Sequence, residues 1–98
     1  MGYKIILSRR AIKDIESVVR YISLDDTEIA RKFAHRLIEK TKELKVFPEK
    51  GRIVPEFNDP NIRQLVLKPY RIVYRIEKAE KRISISRFWH SAKDNLEL

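Results

Sequence analysis

Apolar and polar positions along the chain change period several times, and each change marks an element. Tyr3-Lys4-Ile5-Ile6-Leu7 is a short apolar run closed by Ser8, whose hydroxyl suits a helix N-terminus, so the pattern predicts a strand feeding a helix. From Arg9 to Ile22 the residues Ile12, Ile15, Val19 and Ile22 recur at helical spacing, with Ala11 and Val18 widening the stripe. Leu24-Asp25-Asp26-Thr27-Glu28 interrupts that stripe and supplies the cap and acidic first turn of a second helix. There Ala30, Phe33, Leu37, Thr41 and Leu44, with Ala34 and Ile38, share one face down to about Val46. Few residues separate the two stripes, so the helices form an antiparallel hairpin.

Pro48 stops the second helix. Three prolines and Gly51 between Pro48 and Pro60 make an irregular loop of the length that often carries function. Three strand patterns follow, Ile62 to Leu67, Tyr70 to Glu77 and Arg82 to Trp89, joined by Lys68-Pro69 and by Lys78-Ala79-Glu80-Lys81 as an antiparallel meander. The middle strand alternates cleanly, with Tyr70, Ile72, Tyr74 and Ile76 on one face and Arg71, Val73 and Arg75 on the other. In the last strand Arg87 interrupts the row of Ile83, Ile85 and Trp89, so it either ends that row or sits at a bulge. The stretch from Ser91 to Leu98 adds a helical turn or frays. The predicted fold is α+β, in the order β-α-α-β-β-β, with an antiparallel sheet covered on one face by the helical hairpin. Its other face is then left to water, with Arg71 and Arg75 on it.

Composition sharpens this. Ninety-eight residues, 43% of them apolar, suffice for one core, so residues 1–98 form a single domain. The chain has no cysteine, which excludes disulfides, thiolate nucleophiles and Cys-ligated zinc and fits a cytoplasmic protein. Two histidines, His35 and His90, lie on distant elements and make no metal site, and two glycines cannot form a phosphate-cradling loop, so no cofactor is expected. No apolar run is long enough to span a membrane or to serve as an export signal. The net charge is +8, concentrated toward the C-terminal third, which calls for an acidic partner: nucleic acid, an anionic protein segment, or both.

The element order, the string Pro69-Tyr70-Arg71-Ile72-Val73-Tyr74-Arg75-Ile76, the loop Gly51-Arg52-Ile53-Val54-Pro55-Glu56, Arg63 and Leu65, and the ending Trp89-His90 together resemble the RelE/ParE superfamily of type II toxins. The long hairpin, the GRIVPEF loop and the PYRIVYRI strand are most similar to the ParE branch. That resemblance implies plasmid stabilisation, growth inhibition through DNA gyrase, and neutralisation by an acidic antitoxin that folds on binding the helical hairpin and one sheet edge. Where ParE-like chains follow the terminal His with a small residue and then Arg, this one has Lys93, which keeps the charge and loses the planar fork.

The RelE branch, which cleaves ribosome-bound mRNA, is the alternative. Its functional positions are matched by Glu56, Arg71 and His90, an acid, a cation and an imidazole that suit base, transition-state stabiliser and acid of a metal-free ribonuclease. Those enzymes usually carry a Tyr near the terminal His, where this chain has Ser91. A basic binding module without toxicity is the third reading. Arg63, Arg71, Arg75, Arg87 and Lys93 are the candidate target- or nucleic-acid-binding cations. Each has a plainer explanation: solvated charge for Arg71 and Arg75, a salt bridge to Arg52 or Arg63 for Glu56, a bond to a loop carbonyl for His90, and packing for Trp89.

Overall fold

The computed structural model describes residues 2–98. Strand β1 (Lys4–Leu7) leads into helix α1 (Arg9–Ser23), which turns into α2 (Thr27–Thr41) and a single 3-10 turn (Lys42–Lys45). A two-residue strand β2 (Arg52–Ile53) lies within the proline-rich loop, followed by β3 (Ile62–Leu67), β4 (Tyr70–Glu77) and β5 (Arg82–His90). Ser8 Oγ accepts from the Ala11 amide at 3.1 Å, and Asp26 accepts from Glu28 and Ile29. Both helices therefore begin where a short polar side chain satisfies the first free N–H groups.

The sheet runs β1-β5-β4-β3-β2. The meander β3-β4-β5 is antiparallel as expected, and β2 adds antiparallel to β3. The first strand corrects the expectation of a wholly antiparallel sheet, because β1 pairs with β5 in parallel and makes the sheet mixed. The helical hairpin between β1 and the meander is what permits this, since parallel neighbours need a long crossover.

Two cores sandwich the sheet. On the helix side, Ala11, Val18, Leu37 and Leu44 meet Leu65, Tyr70, Ile72, Tyr74, Ile76, Ile83, Ile85 and Phe88. On the opposite side, Val54, Ile62, Val73, Trp89 and Leu96 form a second, smaller cluster, with Leu98 against it. This overturns the expectation of a face left bare to water. Val54 arrives from the loop and Leu96 from the C-terminal segment, so the molecule's own chain covers the middle of that face.

A bulge explains the irregular last strand. Val73 pairs with Arg87 while the adjacent Tyr74 pairs with Ile85, leaving Ser86 as the extra residue. The extra residue shifts the alternation by one, so Ile83, Ile85 and Phe88 face the helices while Arg87 and Trp89 face the second core. Trp89 is packed, as expected, but on the face opposite to Ile83 and Ile85.

Candidate functional site

Arg71 projects from β4 on the face of the second core and is held from two directions. Its Nη1 and Nη2 donate to the two carboxylate oxygens of Glu56 at 2.9 and 2.8 Å, and its Nε donates to Gln64 Oε1 at 2.7 Å. This is the bidentate fork that a planar guanidinium makes with a carboxylate. The Arg71 side chain is only 14% exposed, against 43% for Glu56, so the pair seals the edge of the second core more than it presents charge. Glu56 thus takes Arg71 as its partner, not Arg52 or Arg63.

The hydrogen bonds from Arg71 hold the Glu56 carboxyl below the ordinary carboxylate range. A lowered folded-state pKa means that the pair's stabilisation is present above the ordinary pKa and is lost as pH falls through the lowered one. Glu56 is half open to water, so the contribution is under about 1 kcal/mol. Arg71→Gln is expected to return the Glu56 titration toward the ordinary range, read by NMR of the side-chain carboxyl, with little change in unfolding free energy.

His90 lies on the other side of the sheet. It pairs with Tyr70, whose ring faces the helices, and the two rings meet edge to face at 5.1 Å. Its Nδ1 accepts from the Ala92 amide at 3.0 Å, which places the proton of a neutral imidazole on Nε2. The structure therefore brings Glu56 and Arg71 together and leaves His90 across the sheet from them. His90 instead lines a cleft of about 240 Å³ between α1 and the end of β5, with Asp14, Ser17, Tyr21, Tyr70 and Lys93.

The remaining sequence-marked cations divide into committed and available ones. Arg63 donates to the carbonyls of Pro60, Glu49 and Gly51, so it braces the loop from within. Arg87 is held by Asp14 at 2.7 and 2.9 Å and also donates to the Glu97 carbonyl, with its guanidinium over the Trp89 ring. Arg75 is exposed, and among the described residues no hydrogen bond or ion pair engages its side chain. Lys93 sits with its ammonium 4.6 Å from the Trp89 ring centre, and among the described residues it has no acidic partner.

Asp14 and Tyr74 hold positions that no motif in the sequence marks as special. Asp14 falls between Ala11, Ile15 and Val18 on the packed stripe of α1, and an acid on an apolar stripe signals a buried cation partner. Beyond the end of β1 it takes over the free edge of β5, accepting from the Phe88 amide at 3.0 Å as well as from Arg87. Alternation marks Tyr74 only as core, yet its hydroxyl accepts from the Gly51 amide and donates to the Pro48 carbonyl. The C-terminal segment is docked rather than frayed: Trp89 Nε1 donates to the Lys93 carbonyl, and Arg10 pairs with Glu97.

The arrangement of elements is shared with known toxins. The model of the ParE toxin family of type II toxin-antitoxin systems, parDE, matches residues 5–95. The chain belongs to this ParE toxin family. Among solved structures, the chromosomal ParDE toxin-antitoxin system from P. aeruginosa superposes with a TM-score of 0.74 at 25% identity, covering 91% of this chain and 96% of that one. The RelBE2 toxin-antitoxin complex from Mycobacterium tuberculosis follows at a TM-score of 0.70 and 16% identity, with 92% and 99% covered. A mutant E. coli RelE toxin in the free state gives 0.67 at 16% identity, with 94% and 86% covered. At those identities the two RelE-type structures speak for the fold, which this ParE-family toxin shares with them. A comparison with curated protein sequences finds no match. Among the described residues, no helix is long and apolar enough to cross a membrane.

Proposed function

We propose that this ParE-family toxin arrests growth by binding and inhibiting DNA gyrase in the cytoplasm, and that a cognate acidic antitoxin neutralises it. The observation that carries the first part is the separation of Glu56 and Arg71 from His90. A metal-free ribonuclease needs base, cation and acid around one phosphate. Here the cation is already closed on the acid through two short bonds, and the imidazole is on the far side of the sheet. A protein that inhibits by occupying a surface has no such requirement.

The antitoxin part rests on the family, on the similarity to the P. aeruginosa ParDE toxin-antitoxin system, and on surface chemistry. The hairpin leaves Ile12, Tyr21, Leu24 and Ile29 exposed on a chain of net charge +8. An acidic segment that folds as it binds would cover those apolar side chains and match the charge. Arg75 and Lys93 are the sequence-marked cations available to an acidic partner surface.

The test is induction of the chain without antitoxin in wild-type, Arg71→Ala and His90→Ala forms. The expected result is growth arrest with gyrase-linked double-strand DNA breaks and intact mRNA, in all three forms. Cleavage of mRNA that falls about 100-fold or more in Arg71→Ala would instead support the RelE-like ribonuclease, that being the scale of one lost transition-state donor. Absence of arrest in the wild type would leave the non-toxic binding module.

A further inference from the structure

Buried hydroxyls in folded proteins are normally hydrogen-bonded, so one without a partner raises the question of what it meets. Tyr70 is 8% exposed, yet among the described residues its hydroxyl makes no hydrogen bond. Every side-chain polar atom sealed from solvent is satisfied among those residues, so the small open part of Tyr70 includes its hydroxyl. It opens into the cleft of about 240 Å³ between α1 and the end of β5. The ring cannot swing away, because Phe33 holds it at 5.7 Å and His90 at 5.1 Å between ring centres. Burial, with Tyr21 adding to it, pushes the Tyr70 hydroxyl pKa up, so the group keeps its proton and donates.

The other polar groups of the cleft are donors too. With Nδ1 accepting from the Ala92 amide, His90 has Nε2–H as its free donor. Lys93 has no acidic partner among the described residues and rests its ammonium 4.6 Å from the Trp89 ring centre. The acid on the wall, Asp14, is consumed: Arg87 and the Phe88 amide take both of its oxygens. Asp14 and Arg87 cancel, which leaves Lys93 as one unbalanced charge. Fixed donors around a single free cation are the complement of a monovalent anion. A phosphate group carries about −1.5 to −2 and exceeds that balance. The volume is below the ~300–1,000 Å³ of drug-sized ligand sites, so the cleft takes a group of side-chain size.

The position of the cleft selects the source of that anion. Tyr21, 73% exposed, lines both the cleft and a second hollow of about 380 Å³ that continues along the hairpin to Leu24. Tyr21 and Leu24 belong to the apolar surface assigned above to the acidic antitoxin, so a segment lying on them passes the mouth of the cleft. A second copy of this chain would instead bring a like charge of +8. Resting on that antitoxin reading, we infer that the cleft receives one carboxylate side chain of the antitoxin, bound by Tyr70, His90 and Lys93. The donors are held in place before binding, which lowers the ordering cost on this side.

The experiment has two arms on the full chain, each variant first checked for folding by circular dichroism. In the first, NMR follows the Tyr70 and His90 ring signals during titration with glutamate capped at both ends, capped glutamine, or inorganic phosphate. The capped glutamate is expected to shift both rings, and the other two probes to leave them in place. Equal shifts from glutamine, a preference for phosphate, or no shift from any probe would overturn the inference. In the second arm the antitoxin is the partner whose co-expression restores growth, and its affinity is measured by calorimetry. Tyr70→Phe, which removes only the hydroxyl, and Lys93→Met should each weaken binding by about 10-fold or more, the scale of one lost hydrogen bond to a charged group. Ala79→Asp, on the remote β4–β5 turn, changes the net charge by the same one unit as Lys93→Met and should bind as wild type does. Folded Tyr70→Phe and Lys93→Met proteins that bind antitoxin like wild type contradict the inference. So does antitoxin binding that is unchanged while growth arrest is lost, because the cleft then belongs to the toxin's target. A wild-type chain that causes no arrest removes the toxin reading and its antitoxin together, whereas the titration still reports whether the cleft takes a carboxylate.

Discussion

Asp14→Ala is expected to lower the unfolding free energy by about 3 kcal/mol, the scale for breaking a mostly buried ion pair by removing one partner. Asp14 and Arg87 are 15% and 12% exposed, joined by two hydrogen bonds, and Asp14 also takes the Phe88 amide at the edge of β5. Among the described residues, removing the carboxylate leaves the guanidinium with the Glu97 carbonyl and the Trp89 face, and takes away the acceptor of the Phe88 amide. In a domain of this size a loss of 3 kcal/mol lowers Tm by about 12–24 °C, which calorimetry resolves easily. Asp14→Leu combined with Arg87→Met should cost less than Asp14→Ala alone, because both charges leave together. If the single variant unfolds within about 0.5 kcal/mol of wild type, Asp14 does not hold α1 to the end of β5.

Tyr74→Phe is expected to cost about 2–4 kcal/mol, although it deletes one oxygen. The Tyr74 side chain is fully buried, and its hydroxyl serves the Gly51 amide at 2.9 Å and the Pro48 carbonyl at 2.8 Å. Phenylalanine fills the same space and satisfies neither group, so two backbone atoms are left without that partner. Burial also pushes the Tyr74 hydroxyl pKa up, which keeps the proton it donates to Pro48. Urea unfolding measures the loss, and amide exchange at Gly51 localises it: the amide should exchange faster in Tyr74→Phe than global unfolding alone requires.

Much of this fold is legible in the sequence where the period is unbroken. The stripe Ala30, Leu37, Thr41 and Leu44 is the buried face of the second helix and its 3-10 extension, and β3 and β4 begin and end at the residues their alternation marks. In α1 the buried line runs through Ala11 and Val18, with Ile15 and Ile22 packed beside it, while Ile12 is exposed. The bulge at Ser86 reverses the facing of Phe88 and Trp89, and a period-two reading of β5 cannot carry across one inserted residue. The parallel partner of β1 and the second core are set by tertiary contacts. Val54 and Leu96 lie in short irregular segments, and no periodicity announces where they pack.

The candidate site divides in the same way. Alternation places Arg71 on the face opposite the helices, and Glu56 and His90 are visible as chemistry-bearing residues. That Glu56 closes on Arg71 across 15 residues, while His90 pairs with Tyr70 on the other face, depends on loop path and strand register. Asp14 is readable as an acid on an apolar stripe, and the chain answers it with Arg87, 73 residues away. The ion pairs that consume Arg71 and Arg87 change the meaning of the +8 charge, because they remove two of the cations that a nucleic-acid-cutting site would use.

The most direct measurement of how the toxin acts uses the purified chain on two substrates in parallel: supercoiling by DNA gyrase, and mRNA bound to translating ribosomes. Inhibited supercoiling with intact ribosome-bound mRNA, unchanged in Arg71→Ala and His90→Ala, is the predicted result. Cut mRNA with gyrase untouched, and cutting lost in Arg71→Ala, would contradict it.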